Sequence, residues 1–190
     1  LAVDLKHNLG GVMAHRIIQV NRAPVLTLWA AVVAERLGFD PPAALTLGRA
    51  LAGLNAQAKG QRLGIFHPRD KQAAAENVHE PPPGEMFAVE LLGREVPALN
   101  TAEGVRAADK GKPADPDSVR RYLERKFGED LAAVREAMGT LATSFDTAQL
   151  AVKAFRLYEQ FRPVVPQGTK GWGKEGELDQ DYMISLGAKR

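Results

Sequence analysis

The chain has no cysteine among its 190 residues. This absence excludes disulfide bonds, thiolate catalysis, iron–sulfur clusters and the common cysteine-based structural zinc sites. A chain of this length buries roughly 70% of its unfolded surface, so its core needs no such cross-links. A cysteine-free composition also fits a reducing compartment, and we therefore expect a cytoplasmic protein.

Long apolar segments are missing as well. No run approaches the ~20 apolar residues of a membrane-spanning helix, so we expect no membrane partner. The first dozen residues include Asp4 and Lys6 and lack the apolar core of a signal peptide. Leu1 is not an initiator, whereas Met13 followed by Ala14 is a common start. We therefore expect residues 1–12 to lie upstream of the native protein and to carry no function.

Patterns that carry catalysis or bind metals are absent. The serines are few, and none lies in a Gly-x-Ser-x-Gly elbow that would activate it. His67 and His79 lie twelve residues apart without a ligand-like spacing to each other or to a carboxylate. Pro68 follows His67 and the proline run 81–83 comes soon after His79, so we expect both histidines at the ends of structural elements. We predict no catalytic residue, metal site or cofactor, and we rank an enzyme third among the function classes.

The net charge of +2 is too small to indicate a polyanionic partner by itself. Residues 1–80 hold nine Lys and Arg against six Asp and Glu, while residues 81–190 hold sixteen against seventeen. All four histidines lie in the first of these segments. A solvated surface explains this mild basic bias most simply, and a nucleic-acid-binding face is the alternative.

Helical periodicity is clearest near the N-terminus. Apolar residues recur at helical spacing over 24–37, and this segment is so poor in charge that we expect a central, buried helix. Gly38 suits the left-handed residue that ends it. Asp40 can cap a second helix with Pro41 at its first position, and that helix is expected to extend to about Gln57.

The rest of the chain predicts further helices and one pair of strands. A short helix is expected over 70–78, and the triple proline at 81–83 is the best boundary between two lobes. Alternation over 87–91 predicts a strand that turns at Gly93-Arg94 into a second strand, 95–99, which Pro97 confines to a sheet edge. The composition of 101–116 predicts a loop. Later helices are expected over 117–127, 131–143, 146–161 and 178–186.

These elements add up to a mainly α (α+β) protein. We predict a helical domain of about six to seven helices with one small antiparallel β-hairpin. The expected organisation is a helical lobe over 13–80 and a hairpin plus helical lobe over 81–190, packed together as one domain.

The first two helices carry the one functional motif with a mechanism. A small residue at Ala34 and a glycine four positions later, at Gly38, resemble the turn of a helix-turn-helix. Such a motif must present polar side chains of its second helix to base edges and phosphates. At 100° per residue, the outward face of that helix contains Thr46, Arg49, Ala50, Gly53, Ala56 and Gln57. This face offers few polar groups, so an ordinary helical hairpin is the simpler interpretation.

Other cationic segments extend this hypothesis. Three sequences combine glycine with Lys or Arg, a combination suited to phosphate: Lys59-Gly60-Gln61-Arg62, Lys110-Gly111-Lys112, and Lys170-Gly171-Trp172-Gly173-Lys174. Trp172 is either a stacking residue for a base or an anchor that holds the tail to the core. The helix 117–127 contains the densest cationic stripe, with Arg120, Arg121 and Arg125, which is either a solvated face or a polyanion contact.

The sequence alone thus gives two ranked functions. The leading hypothesis is a nucleic-acid (DNA)-binding or transcription-regulating protein whose contacts are mainly to phosphate. Its candidate residues are Thr46, Arg49, Gln57, Lys59, Arg62, Arg120, Arg121 and Arg125. The alternative is a protein-interaction module without catalysis that forms homo-oligomers through the helix 41–57, whose outer face is rich in Ala and Gly.

Overall fold

The computed structural model of the protein describes residues 16–62, 86–168 and 173–188. Its elements in chain order are β1 (Ile17–Val20), α1 (Arg22–Arg36), α2 (Pro41–Arg62), β2 (Met86–Leu91), β3 (Arg94–Thr101), β4 (Gly104–Asp109), β5 (Lys112–Pro113), α3 (Pro116–Phe127), α4 (Leu131–Thr143), α5 (Thr147–Phe161), β6 (Gly176–Asp179) and α6 (Gln180–Ser185). A short 3₁₀ turn, Gly128–Asp130, joins α3 to α4.

The turn between α1 and α2 forms as the sequence predicts. Gly38 has a φ of 109°, a conformation that glycine adopts without steric cost. The Asp40 carboxylate accepts a hydrogen bond of 2.9 Å from the backbone N–H of Ala43 and so caps α2. The predicted end of α2 at Gln57 is too early, since the helix continues to Arg62.

Helix α1 lies at the centre of the core, which confirms the interpretation of its low charge. Every residue from Pro24 to Ala34 is buried. The indole N–H of Trp29 donates a hydrogen bond of 2.9 Å to the carbonyl of Ala154 in α5. The Trp29 ring also meets Phe161 edge to face, with 5.2 Å between the ring centroids. These contacts fix α5 against α1.

The predicted fold class is wrong, because the structure is α+β with two antiparallel sheets. One sheet has four strands in the order β2-β3-β4-β5, and the other pairs β1 with β6. The segment 101–116 was predicted as a loop, yet it contains β4 and β5. Its Ala, Asp and Gly are poor strand formers, so local propensity does not predict these strands. They form because β4 pairs with β3 and packs against α2.

The hairpin differs in detail from its prediction. Leu92 and Gly93 both have positive φ, 50° and 73°, so the turn is of type I′ and lies one residue earlier than expected. Strand β3 is not an edge strand, because β2 and β4 flank it. Pro97 is tolerated because only Ala98 to Thr101 pair with β4, and the missing N–H of Pro97 therefore breaks no bond to that strand.

The second sheet joins the two ends of the described chain. Strand β1 pairs with β6 from Ile17 opposite Asp179 to Val20 opposite Gly176. Val164 and Glu177 exchange backbone hydrogen bonds of 2.9 and 3.0 Å on the other side of β6. Sequence analysis missed both strands, because each has only four residues and its partner lies more than 150 residues away. The last helix accordingly begins at Gln180 and not at residue 178.

Helices α3, α4 and α5 lie close to their predicted positions. Asp115, one residue before Pro116, caps α3, and Asp146 caps α5 through the backbone N–H of Gln149. One hydrophobic cluster includes buried residues of α1 to α6, of β2 to β4, and of β1 and β6. No helix in the described ranges is both long and apolar enough to cross a membrane.

Several predictions fall outside the described residues. These are the upstream segment 1–12, the helix 70–78, the triple proline at 81–83, Trp172 and all four histidines. The division into lobes over 13–80 and 81–190 stays a prediction.

Candidate anion-binding site

Helix α3 brings cations to the surface above an apolar face. Pro116 occupies the first turn, where its missing N–H costs nothing, and the Asp115 carboxylate accepts a 3.0 Å hydrogen bond from the Asp117 N–H. Val119, Leu123 and Phe127 recur at helical spacing and are buried. The remaining positions therefore face outward, and these include Arg120, Arg121 and Arg125.

A small pocket lies where α3 packs beside α2. Its volume is about 260 Å³, and it is lined by Arg49, Ser118, Val119, Arg121, Tyr122 and Arg125. Arg49 comes from α2, and the other five residues come from two turns of α3. The structure thus brings together three arginines that the sequence had placed in two unrelated segments.

The Tyr122 ring forms the link between the two helices. The guanidinium carbon of Arg49 lies 4.2 Å from the ring centroid, a cation–π contact. Burial raises the pKa of the half-buried Tyr122 phenol, while Arg49 and then Arg125 act in the opposite direction. The phenol therefore stays neutral at physiological pH, and the pocket keeps its positive charge.

Only part of this positive charge is neutralised by carboxylates. Arg120 pairs with Asp117, and the Arg121 guanidinium lies 3.9 Å from the Asp115 carboxylate, with both side chains well exposed. Exposed pairs of this kind contribute little energy and exchange readily for another anion. Within the described part of the chain, Arg49 and Arg125 make no ion pair. The pocket can therefore hold an anion through planar guanidinium donors.

The other predicted contact residues do not line this pocket. Gln57 and Lys59 are exposed on α2, eight and ten residues beyond Arg49, which is about 12–15 Å along a helix. Arg120 points away into its pair with Asp117. The sequence Lys59-Gly60-Gln61-Arg62 is the last turn of α2 and not a loop. The side chain of Arg62 and all of Trp172 lie outside the described residues.

Thr46 was predicted to lie on the outward face of α2 and to contact nucleic acid, and its outward placement is wrong. Its side chain is fully buried, with 0% exposure. The Thr46 hydroxyl donates to the Ala43 carbonyl and accepts a 2.9 Å hydrogen bond from the backbone N–H of Ala107 in β4. The helical wheel of α2 could not reveal this role, because the covering strand was predicted as a loop.

A close contact between α1 and α2 lies far from the turn that joins them. A Cβ atom added to Gly48 would lie 2.5 Å from the Thr27 carbonyl oxygen and 2.9 Å from the Ala31 nitrogen. This close approach is about ten residues from the turn on each helix, or about 15 Å along the axes. Helices that cross at about 90–120° diverge over such a length. The helices therefore stay in close contact at Gly48, as in an antiparallel helical hairpin, whereas a Cβ atom added to Gly38 would meet nothing within 4 Å.

The Ala- and Gly-rich outer face of the helix 41–57, predicted to form oligomers, is covered only in part: Thr46 is buried, Ala50 and Ala56 are half-buried, and Gly53 is exposed. The opposite face of this helix packs within the chain. Ala43, Ala44, Leu47, Leu51 and Ala52 are buried. They pack in the core cluster or beside α1, α3 and the sheet. What remains exposed is a narrow stripe through Arg49, Gly53 and Gln57. Oligomerisation through this helix stays a prediction that the structure does not support.

Two residues of the pocket had no functional role in the sequence analysis. Ser118 was considered only together with the other serines, none of which lies in an activating elbow, and Tyr122 was not singled out. Their spacing contains a usable signal, because residues 118, 121, 122 and 125 lie on one face of a helix. Arg49, however, had no local signal that would place it on that face.

A second polar cluster lies where α1 meets α5. Arg22 Nε donates a hydrogen bond of 2.9 Å to the Pro163 carbonyl, and the Tyr158 hydroxyl is 3.4 Å from the Arg22 carbonyl. Burial raises the pKa of Tyr158 to about 12. Because these polar groups bond to backbone, we assign the cluster to holding the segment after α5 in place.

Comparison with known proteins adds no assignment, since the chain matches no known family, no curated protein and no solved structure. In the described ranges, no group of three or more acidic or histidine side chains is placed to hold a metal ion. The function must therefore be inferred from the geometry of this chain.

Replacing Thr46 by valine tests its structural role directly. Thr46→Val keeps the shape of the side chain but leaves the buried N–H of Ala107 without its acceptor. We expect the free energy of unfolding to fall by about 1–3 kcal/mol, measured by urea denaturation. Affinity for nucleic acid, measured on the folded variant, is expected to stay unchanged. A variant of unaltered stability would contradict this role.

Proposed function

We propose that the protein binds nucleic acid by contacting phosphate groups with the arginines of the α2–α3 pocket. Arg49, Arg121 and Arg125 form the contact surface, which we name the arginine cluster. In this proposal, α3 presents the cations and α2 supplies one arginine across the helix pair. A regulatory role in the cytoplasm is consistent with this partner and belongs to the same proposal.

The observation that carries the proposal is that three arginines, Arg49, Arg121 and Arg125, line one small pocket. Like charges repel, so a bound anion would stabilise this arrangement beyond the cation–π contact of Arg49 and the 3.9 Å pair of Arg121 with Asp115. Guanidinium groups match the geometry of phosphate oxygens and bind them in bidentate fashion. Phosphate contacts supply most of the affinity of proteins that bind nucleic acid without sequence preference.

Sequence-specific reading of bases has less support. Thr46 is buried, and the exposed stripe of α2 contains Gly53 between Arg49 and Gln57. A base-reading helix must present several polar side chains to the edges of the bases. We therefore propose that the protein contacts the phosphate backbone, mainly through residues of α3, and does not read the base sequence.

Removing two cations of the arginine cluster tests the proposal. In the variant Arg121→Gln/Arg125→Gln, the glutamines keep part of the apolar stems but no charge. We expect affinity for mixed-sequence duplex DNA to fall about tenfold or more at low salt. The slope of log K against log salt is expected to decrease by about 2, because two phosphate contacts are lost. Fluorescence anisotropy titrations at several salt concentrations measure both quantities.

A matched control separates the site from the overall charge. Arg156 is an exposed arginine on α5 that does not line the pocket. Two charges are removed in the test variant, so the control is Arg36→Gln/Arg156→Gln, which changes the net charge equally. Arg36 is exposed at the end of α1. If both double variants weaken binding equally, or if the unaltered protein binds neither duplex nor single-stranded DNA at low salt, the proposal is wrong.

A further inference from the structure

We infer that the arginine cluster prefers a terminal phosphate monoester to the phosphodiester of a continuous strand. This inference rests on the proposed function, since it names the part of a nucleic acid that the pocket takes. The ligand chemistry is the –OPO₃ group at the end of a strand.

The shape of the site supports a terminal group. The pocket is a small concavity of about 260 Å³, and its lining comes from two turns of α3 and a single residue of α2. A diester within a strand has a sugar on both sides, and a chain that continues in two directions needs a groove along the surface. A terminal phosphate needs room on one side only, and a small, half-open concavity suffices for it.

The hydrogen-bond donors of the residues around the pocket also outnumber the acceptor oxygens that a phosphodiester offers. Three arginines and Ser118 line the same space. Each guanidinium has up to five N–H donors. A diester offers two unesterified oxygens, whereas a monoester offers three. The monoester also carries about −1.5 to −2 charges at pH 7, compared with a single charge for each backbone phosphate.

The floor of the pocket strengthens these interactions. Val119 is 5% exposed, and the half-buried Tyr122 ring lies beneath Arg49. Apolar groups on one side of a charge lower the local dielectric, so attraction to an additional negative charge is larger than on an open surface. An isolated solvated arginine would show less preference between the two phosphate types.

The experiment compares short single-stranded oligonucleotides of one sequence with a 5′-phosphate, a 3′-phosphate or hydroxyl groups at both ends. We expect at least one of the phosphorylated forms to bind about tenfold more tightly than the hydroxyl form, the ratio that an additional charge-assisted contact gives. Inorganic phosphate, added at constant ionic strength against chloride, is expected to abolish this preference. Both measurements use the full chain.

Variants then assign the preference to the pocket. In Arg121→Gln/Arg125→Gln the affinity ratio is expected to fall to about 1, and Ser118→Ala is expected to lower it by a smaller factor. The Arg36→Gln/Arg156→Gln protein is expected to keep the ratio. Circular dichroism of each variant verifies that it is folded.

The outcomes separate this inference from the proposed function. If all three oligonucleotides bind equally and the double variant weakens them equally, the terminal preference is refuted while nucleic-acid binding is supported. If the preference persists in the double variant, the phosphate is held elsewhere and the inference is also refuted. If none of them binds, the proposed function and the inference both fail.

Discussion

Replacing Trp29 by alanine is expected to lower the free energy of unfolding by about 3–5 kcal/mol. Trp29 is completely buried, and its ring contacts Phe161 edge to face. The substitution removes this packing, leaves a cavity in the middle of the core, and also removes the hydrogen bond to the Ala154 carbonyl. Because Trp29 joins α1 to α5, urea denaturation followed by circular dichroism should show a large decrease in the transition midpoint.

The matched control for Trp29 is an exposed apolar residue on α5, the helix that Trp29 contacts. Val152 is on α5, two residues from Ala154, and is 84% exposed. Val152→Ala removes apolar atoms from the same helix without touching the core, so stability is expected to change by less than about 0.5 kcal/mol. A loss at Trp29 no larger than the change at Val152 would show that α5 does not pack on α1 as described.

Replacing Gly48 by alanine is expected to destabilise the protein by about 2 kcal/mol. The added methyl group would lie 2.5 Å from the Thr27 carbonyl oxygen, and backbone atoms cannot rotate away as a side chain does. The two helices must separate to accommodate it, which costs about 1–3 kcal/mol or more in a well-packed core. The intrinsic preference of helices for alanine over glycine offsets up to about 1 kcal/mol of this cost.

The same substitution at Gly53, in the same helix, is expected to change stability in the opposite direction. Gly53 is exposed, and a Cβ atom added there has no neighbour within 4 Å. Gly53→Ala is therefore expected to stabilise the protein by up to about 1 kcal/mol, because only the helix preference operates. Thermal and urea denaturation of the two variants measure both effects. If both alanines shifted stability in the same direction, the close approach of α1 and α2 at Gly48 would be wrong.

The helices were predictable because their signals are local. Gly38, Asp40 and Pro41 determine where α1 ends and α2 begins, and each acts through the backbone of its immediate neighbours. The apolar periodicity of α3 to α5 and the capping residue Asp146 likewise act within one or two turns, although α3 begins at Pro116 with Asp115 as its cap, slightly before its predicted start at residue 117. Segments with such signals were placed to within a few residues.

Most of the strands were missed because their pairing partners lie far away in the chain or because their residues have low β-propensity. Strand β4 pairs Ala107 with Ala98, and these small buried residues carry no β-propensity signal of their own. Strand β1 finds its partner near the other end of the chain. The missed strand β4 also affected the candidate site. Thr46 was expected to be exposed because the strand that covers it was predicted as a loop.

The sequence by itself determined the chemistry that is excluded and the local geometry of the helices. Without cysteine or an activated serine, it offered no basis for thiolate or serine catalysis, and its caps and glycines set the helix ends. Only the tertiary structure decided which residues are exposed and which charges meet. It buried Thr46 beneath β4 and placed Arg49 beside Arg121 and Arg125, 72 residues away in the chain from the nearer of the two. The physical reason is that helix capping and periodicity act over a few residues, whereas burial and the meeting of charges depend on how distant elements pack.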